Sequence, residues 1–384
     1  MIQQIGHAIV SALGFSTAEN YRAVCDGKSG IALYPSYHRL PEPIAASLID
    51  RERLDDLFAS MDSTGRTFTA LEKASLYSVY EATKGLDIDL ADPRVLFCFS
   101  TTKGNIDLLE SNNQPPYNQQ LYLWHTAQLI ASYFGNHNAP VVLSNACISG
   151  GNAQIVAQRE LESGNYDYAV VTGVDLLSPF IVAGFHCLKA LSPLPCRPFD
   201  RNRSGLNLGE AAATIIYRPT TAANASGICL VKGAVRNDAN HISGPSRTGE
   251  GSYQAIQATL KEQDIHDIAF VNAHGTATPY NDRMEAIALT RAGLERLPVN
   301  SLKGYFGHTL GAAGILESII SSCALVDNRV IASLGFEEGE EEYPLPVARR
   351  LIPGEGKHSY LKMLSGFGGC NAVLLTRNYG EKKR

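Results

Sequence analysis

The chain alternates between short apolar runs rich in β-branched residues and longer stretches in which apolar residues recur every three or four positions. RVLFCFS (94–100), PVVLSN (140–145), YAVVTGV (168–174) and IAFVNA (268–273) are of the first kind, and Tyr253, Ile256 and Leu260 represent the second. Apolar runs without polar alternation predict strands covered on both faces, and their alternation with helices predicts βαβ units around a parallel sheet. No long Pro- or Ser-rich linker interrupts this α/β pattern. The nearest to a seam is TTAANASG (220–227), which divides the chain into halves 1–222 and 223–384.

The halves resemble each other. VVLSNAC (141–147) matches IAFVNAH (268–274), and GEAAATIIYR (209–218) matches GGCNAVLLTR (368–377) in the same order. Two weak matches in order suggest a duplicated unit with an insertion in the second copy. On this alignment Cys147 and His274 leave equivalent strand ends.

Composition narrows the class. With 384 residues, 45% hydrophobic and 18% charged, the chain can bury one large core or two smaller ones. A net charge of −5, with 33 basic and 38 acidic residues in no long blocks, gives no nucleic-acid stripe. The eight cysteines form no CxxC pair, which argues against a zinc ribbon or a disulfide framework and for a reducing compartment. Met1–Asn20 has no basic leader, and no apolar run reaches the ~18 residues needed to span a bilayer. The expectation is a cytoplasmic protein away from membranes.

The chemistry concentrates in SNACISGGNA (144–153) and NSLKGYFGHTLGAAGILES (300–318). An isolated cysteine in an apolar run is more often an inert core residue. A strand, a turn and paired glycines favour the alternative, a thiol at the first turn of a helix through Ile155, Val156 and Arg159. There the macrodipole lowers its pKa, and Gly150 and Gly151 leave room for a substrate. His274 in NAHGTAT and His308 just ahead of the apolar helix through Ile315, Ile319 and Cys323 are the candidate partners, neutral and able to donate from Nε2. A Cys-His-His metal site is the alternative on residue types alone, but the glycine-rich settings offer few supporting partners for ligands.

Those blocks, with RPFDRNRSGLNLGEAA, HGTATPYNDRMEA and the final SGFGGCNAVLL, resemble the ordered signatures of β-ketoacyl-acyl-carrier-protein synthases of the decarboxylating Cys-His-His type. The resemblance implies the thiolase fold: two pseudo-symmetric βαβαβαββ halves in five αβαβα layers. It implies a homodimer whose partner is acyl carrier protein, and no cofactor beyond the phosphopantetheine arm that carries the substrates. It makes Cys147 the acyl-accepting nucleophile and His274 and His308 the donors to the thioester carbonyl of malonyl carrier protein. Lys303 and Glu317 become the charged pair beside the second histidine, Phe367 the gate, and Thr276 and Thr278 the contacts of the pantetheine arm. Asp282 and Glu285 become structural residues. Cys370 falls near the place of a thiolase's second cysteine, displaced past the glycines. Leu206, in Ser-Gly-Leu-Asn where the family has Asp-Gly-Phe-Val, makes a smaller wall beside the nucleophile. That departure raises a specialised synthase of polyene or polyketide type, or a non-condensing carrier-binding subunit, as alternatives to fatty-acid elongation.

Overall fold

Three of the four apolar runs form strands covered on both faces, and PVVLSN forms a short half-buried one. The computed structural model describes residues 1–37, 42–111 and 118–380. Its main sheet is built from β1 (Ile2–Ser11), β2 (Val95–Ser100), β3 (Val141–Leu143), β4 (Tyr168–Asp175) and β5 (Ala211–Pro219) in the first half. In the second half come β6 (Ile228–Asn237), β7 (Ile268–Asn272), β8 (Val299–Asn300), β9 (Ser359–Gly366) and β10 (Cys370–Asn378). The order across the sheet is β8-β7-β9-β10-β6-β1-β5-β4-β2-β3. Adding five to each strand of the first half gives its mate in the second, so a pseudo-twofold axis passes between β1 and β6.

The principal helices pair in the same way, with three added to each label. They are α1 (Ala70–Thr83), α2 (Leu123–Tyr133), α3 (Ser149–Glu162), α4 (Glu250–Leu260), α5 (Pro279–Arg291) and α6 (Ala313–Val326). Each half reads βαβαβαββ once its smaller insertions are set aside. Thr69 and Glu72 close a capping box at the start of α1, satisfying backbone donors that a helix end leaves open.

Strands β1 and β6 pair only at Ile2↔Leu230 and Gln3↔Cys229, so the half-sheets are joined at one corner. Helices α3 and α6 fill the space between and touch both half-sheets, while α1 and α2 cover one outer face and α4 and α5 the other. This is the five-layered thiolase arrangement. Ile9, Ile155, Ile315, Leu364 and Leu374, drawn from both sheets and both central helices, belong to one buried cluster. Among the described residues no helix is long and apolar enough to cross a membrane.

One of the two repeat matches is out of register with the fold. GEAAATIIYR and GGCNAVLLTR fall on the mates β5 and β10, as expected. VVLSNAC falls on β3, an edge strand with one neighbour, whereas IAFVNAH falls on β7, which is paired on both sides. The mate of β7 is β2 and the mate of β3 is β8, so the twofold counterpart of the Cys147 segment is the one leading to His308. Both runs are apolar and end in Asn-Ala, and the sequence does not record which strand lies at the edge.

The central helices meet through glycine. A methyl group on Gly314 would lie 2.4 Å from the Gly151 nitrogen, and one on Gly150 2.8 Å from the Gly311 oxygen. Gly150 and Gly151 therefore serve the contact with α6 and with Leu364 of β9; the substrate room expected of them lies elsewhere. Gly314→Ala is expected to destabilise the fold by about 3 kcal/mol or more, because backbone stands where the methyl must go. Gly184→Ala, in the helix Pro179–Cys187 with nothing within 4 Å of its Cβ position, is expected to stabilise by about 0.5–1 kcal/mol. Urea unfolding of both variants checks the contrast, and equal effects would contradict this account of the helix contact.

Candidate active site

Cys147 sits in the turn between β3 and α3, two residues ahead of the helix. Its predecessor Ala146 has φ 44°, in the left-handed region that costs an L-residue roughly 1–2 kcal/mol. Ala277 (φ 63°) and Leu310 (φ 50°), beside the two histidine segments, are held the same way. Non-glycine residues with positive φ next to all three segments are backbone strain gathered at a site.

His274 follows β7. Its N–H and that of Gly275 donate to Glu285 at 2.7 Å each, and the N–H groups of Thr276 and Ala277 donate to Asp282 at 2.9 and 3.1 Å. Asp282 and Glu285 lie one turn apart on α5, so a single helix face holds the 274–277 loop. His308 follows β8 and a short helix, Lys303–Phe306. Its Nδ1 accepts from the Leu310 N–H at 3.3 Å, which leaves the ring proton on Nε2.

The fold brings the predicted triad together. Cys147 Sγ and one nitrogen from each histidine lie within 4.8 Å of one another, all buried, and the imidazoles meet edge to face with centroids 5.0 Å apart. They form the floor of a cavity of ≈410 Å³ whose walls include Thr276, Thr278, Leu206 and Phe367. Thr276 and Thr278 share a hydroxyl hydrogen bond of 2.9 Å. Leu206 packs with Cys147, Leu177, Val182 and Phe185. Phe367 is 38% exposed and stacks on Phe185, centroids 5.6 Å apart. Cys370 is buried, with its sulfur 3.3 Å from the Phe367 carbonyl.

Lys303 and Glu317 lie beneath the histidines and off the cavity wall, joined at 2.5 Å and almost wholly buried. The sequence reading missed a third member, Lys362 of β9, whose ammonium is 2.5 Å from the other Glu317 oxygen. Its signal was available: one lysine inside the otherwise apolar strand SYLKMLSG.

Burial controls the electrostatics. It lowers the pKa of His274 and His308 well below the ordinary value, with the Lys303 and Lys362 charges acting in the same direction, so both rings are neutral. It raises the carboxyls of Glu285 and Asp282, whereas the two lysines hold Glu317 ionised against its own burial. Burial pushes the Cys147 thiol up to about 12, opposed by Lys303 and by the Phe367 N–H that points at it. The lowered thiol pKa expected from the helix terminus is overridden.

The family profile described as β-ketoacyl synthase, N-terminal domain, matches residues 2–223, and the corresponding C-terminal domain profile matches 228–337. A mitochondrial protein of Schizosaccharomyces pombe with the provisional name 3-oxoacyl-[acyl-carrier-protein] synthase is 28% identical over 420 residues, covering 97% of this chain and 98% of that one. The 3-oxoacyl-[acyl-carrier-protein] synthase 2 of Staphylococcus aureus is 31% identical over 253 residues, 61% of this chain and 60% of its own. Among solved structures, a ketosynthase in complex with its chain length factor from Xenorhabdus doucetiae superposes with a TM-score of 0.86 at 24% identity, covering 98% of both chains, and so shares the fold. Two domain profiles in the order of the two half-sheets, laid over a site assembled from both halves, carry the conclusion that the chain belongs to the β-ketoacyl synthase family.

Proposed function

We propose that the chain is a condensing enzyme that joins an acyl group held on Cys147 to the two-carbon unit of a malonyl thioester, both delivered by acyl carrier protein. The observation that carries this reading is the buried triangle of one thiol and two neutral imidazoles at the floor of the cavity. Thiol and acyl thioester exchange first: Cys147 Sγ attacks the acyl carbon and the carrier thiol leaves. The thiol proton must reach that leaving sulfur, and a neutral imidazole can relay it. His274 suits the relay, because its Nδ1 has no hydrogen-bond partner among the described residues and its proton can occupy either nitrogen.

The malonyl thioester then loses its carboxylate as CO2, and the electron pair passes to the carbonyl oxygen. His274 and His308 donate to that enolate as the donors of an oxyanion hole do. The enolate carbon attacks the acyl-Cys147 carbonyl, and the N–H groups of Cys147 and Phe367 are positioned to hold the new oxyanion. Collapse expels the Cys147 thiolate, which takes up a proton from solvent, its own having left on the first carrier thiol, and releases the 3-oxoacyl thioester. Thr276 and Thr278 bind the pantetheine arm, while Phe367, stacked on Phe185, gates it. No resident cofactor or metal takes part; two ammonium groups against one carboxylate beside the imidazoles oppose a divalent cation.

The chain works as a homodimer in the cytoplasm. The support for pairing is β3, an edge strand of the main sheet with half-buried side chains, which a second copy would cover. Leu206 in the cavity wall favours, within this reading, a substrate with bulk near its thioester, as in a specialised polyene- or polyketide-type pathway. A non-condensing role fits less well, since Cys147 is present.

His274→Ala and His308→Ala are each expected to lose about 10²–10³ in CO2 release from malonyl carrier protein. Both still acquire an acyl group on Cys147, seen by intact mass, with His274→Ala loading more slowly because its relay is gone, and Cys147→Ala gains no acyl mass. Normal decarboxylation in both histidine variants would defeat the assigned roles. The thiol offers a second test. A helix end contributes at most ~2 kcal/mol toward a thiolate. Raising a thiol from 9 to about 12 by burial costs about 4 kcal/mol, so burial prevails. Alkylation of Cys147 by iodoacetamide should therefore rise about tenfold per pH unit from 7 to 10. A plateau below pH 8 would show that the helix end prevails.

A further inference from the structure

A lysine in the middle of a buried strand needs a reason, since replacing a buried ion pair by apolar side chains of similar size is often neutral or stabilising. Lys362 is fully buried, and β9 places it directly beside Asn272 of β7, two residues before His274. Its ammonium is 2.5 Å from Glu317 Oε2, 3.3 Å from the Ala273 oxygen and 3.5 Å from the Asn272 oxygen. Lys303, five residues before His308, is 2.5 Å from the other oxygen, Oε1. One carboxylate on α6 thus ties the strand pair that carries His274 to the segment that carries His308.

We propose that Lys362 is a positioning residue for the decarboxylating step, gripping Glu317 together with Lys303 and so fixing the His274 segment against the His308 segment. The inference rests on the condensing reading above. A second consequence follows from charge. The groups facing the imidazoles are Lys303 from the short helix, Glu317 from α6, Lys362 from β9, Glu285 and Asp282 from α5, and the Cys147 thiol. Two ammonium groups face the Glu317 carboxylate, and burial raises the carboxyls of Glu285 and Asp282 above the ordinary range. The Lys303 and Lys362 charges disfavour a proton on either ring, adding to burial.

Ring charge decides the fate of the enolate. A neutral imidazole N–H donates a hydrogen bond and is a far weaker acid than an imidazolium, so it gives its proton to the enolate carbon much more slowly. An imidazolium gives it up: a C–H bond forms at the enolate carbon, the ring returns to neutral, and acetyl carrier protein leaves uncondensed. Removing the Lys362 charge raises the histidine pKa, so this diversion should appear at the acid end of the pH range.

Lys362→Gln keeps a short N–H donor on β9 and removes the charge. Its CO2 release should fall about tenfold while acyl loading of Cys147, read by intact mass, stays within about twofold of wild type. At pH 6 the ratio of acetyl to 3-oxoacyl carrier should rise at least about threefold over wild type, and the difference should vanish by pH 8.5. An unchanged ratio across pH, or equal loss of loading and decarboxylation, overturns the proposal. A measurement on wild type tests the charge consequence even if the variant does not fold: with imidazole nitrogens labelled by 15N, His274 and His308 should keep the resonances of neutral rings through the acid range, and titration of either above pH 6 overturns that consequence. Wild type that releases no CO2 from malonyl carrier protein would fail the condensing reading itself, whereas wild type that condenses beside an indistinguishable variant fails only the role of Lys362.

Discussion

The site depends on a contact that no side chain could occupy. Gly150 and Gly151 at the start of α3 lie against Gly314 at the start of α6 and Gly311 in the turn just before it, close enough that a methyl group at Gly314 would meet the Gly151 backbone nitrogen at 2.4 Å. The half-sheets are joined at one corner, and the central helices close the rest of the gap by touching backbone to backbone. Cys147 lies two residues ahead of α3, and His308 lies five residues ahead of α6 across a single turn, Leu310–Ala312. The glycine contact therefore sets how near the thiol comes to the imidazole, and β7, beside β8, brings His274 in as the third member.

Charge converges on the same place. Two helix N-termini, Lys303 and Lys362 all point positive field at a buried floor, with Glu317 the ionised carboxylate among them. In such a setting electrostatic interactions are worth several times what they are in water. A malonyl carboxylate entering the cavity and the enolate it leaves behind are both anions, and the field acts on each. The imidazoles stay neutral in it, which lets them stabilise negative charge without quenching it. The positive φ at Ala146, Ala277 and Leu310 shows the backbone bent to serve this convergence at some cost in local energy.

Much of this was legible in the sequence, for identifiable reasons. Buried parallel strands read as apolar runs, so the α/β class follows from VLFCFS or YAVVTGV directly, and the helices through Ile155, Ile256 and Ile315 follow from their spacing. Cys147, His274 and His308 stood out because glycine-rich turns after buried strands are where reactive groups gather. What the sequence hid depends on neighbours. Strand β3 at the edge and β7 in the interior read alike, so the repeat was matched across non-equivalent strands. Gly150 and Gly151 read as room for substrate because the helix they touch lies more than 150 residues away in the chain. The thiol pKa followed the helix end in the sequence and burial in the fold, since the degree of desolvation emerges only from packing. Lys362 was readable as an anomaly in an apolar strand, but its partner Glu317 came from another layer.

The most direct test of the account follows one carbon through one turnover. Wild-type enzyme loaded with an acyl group on Cys147 is given malonyl carrier protein labelled with 13C in the free carboxyl group, and both CO2 and the 3-oxoacyl carrier are analysed by mass. The account predicts one labelled CO2 for each 3-oxoacyl product, with no label in that product and the acyl mass leaving Cys147 at the same rate. Label retained in the product, or product formed while Cys147 keeps its acyl group, would contradict it.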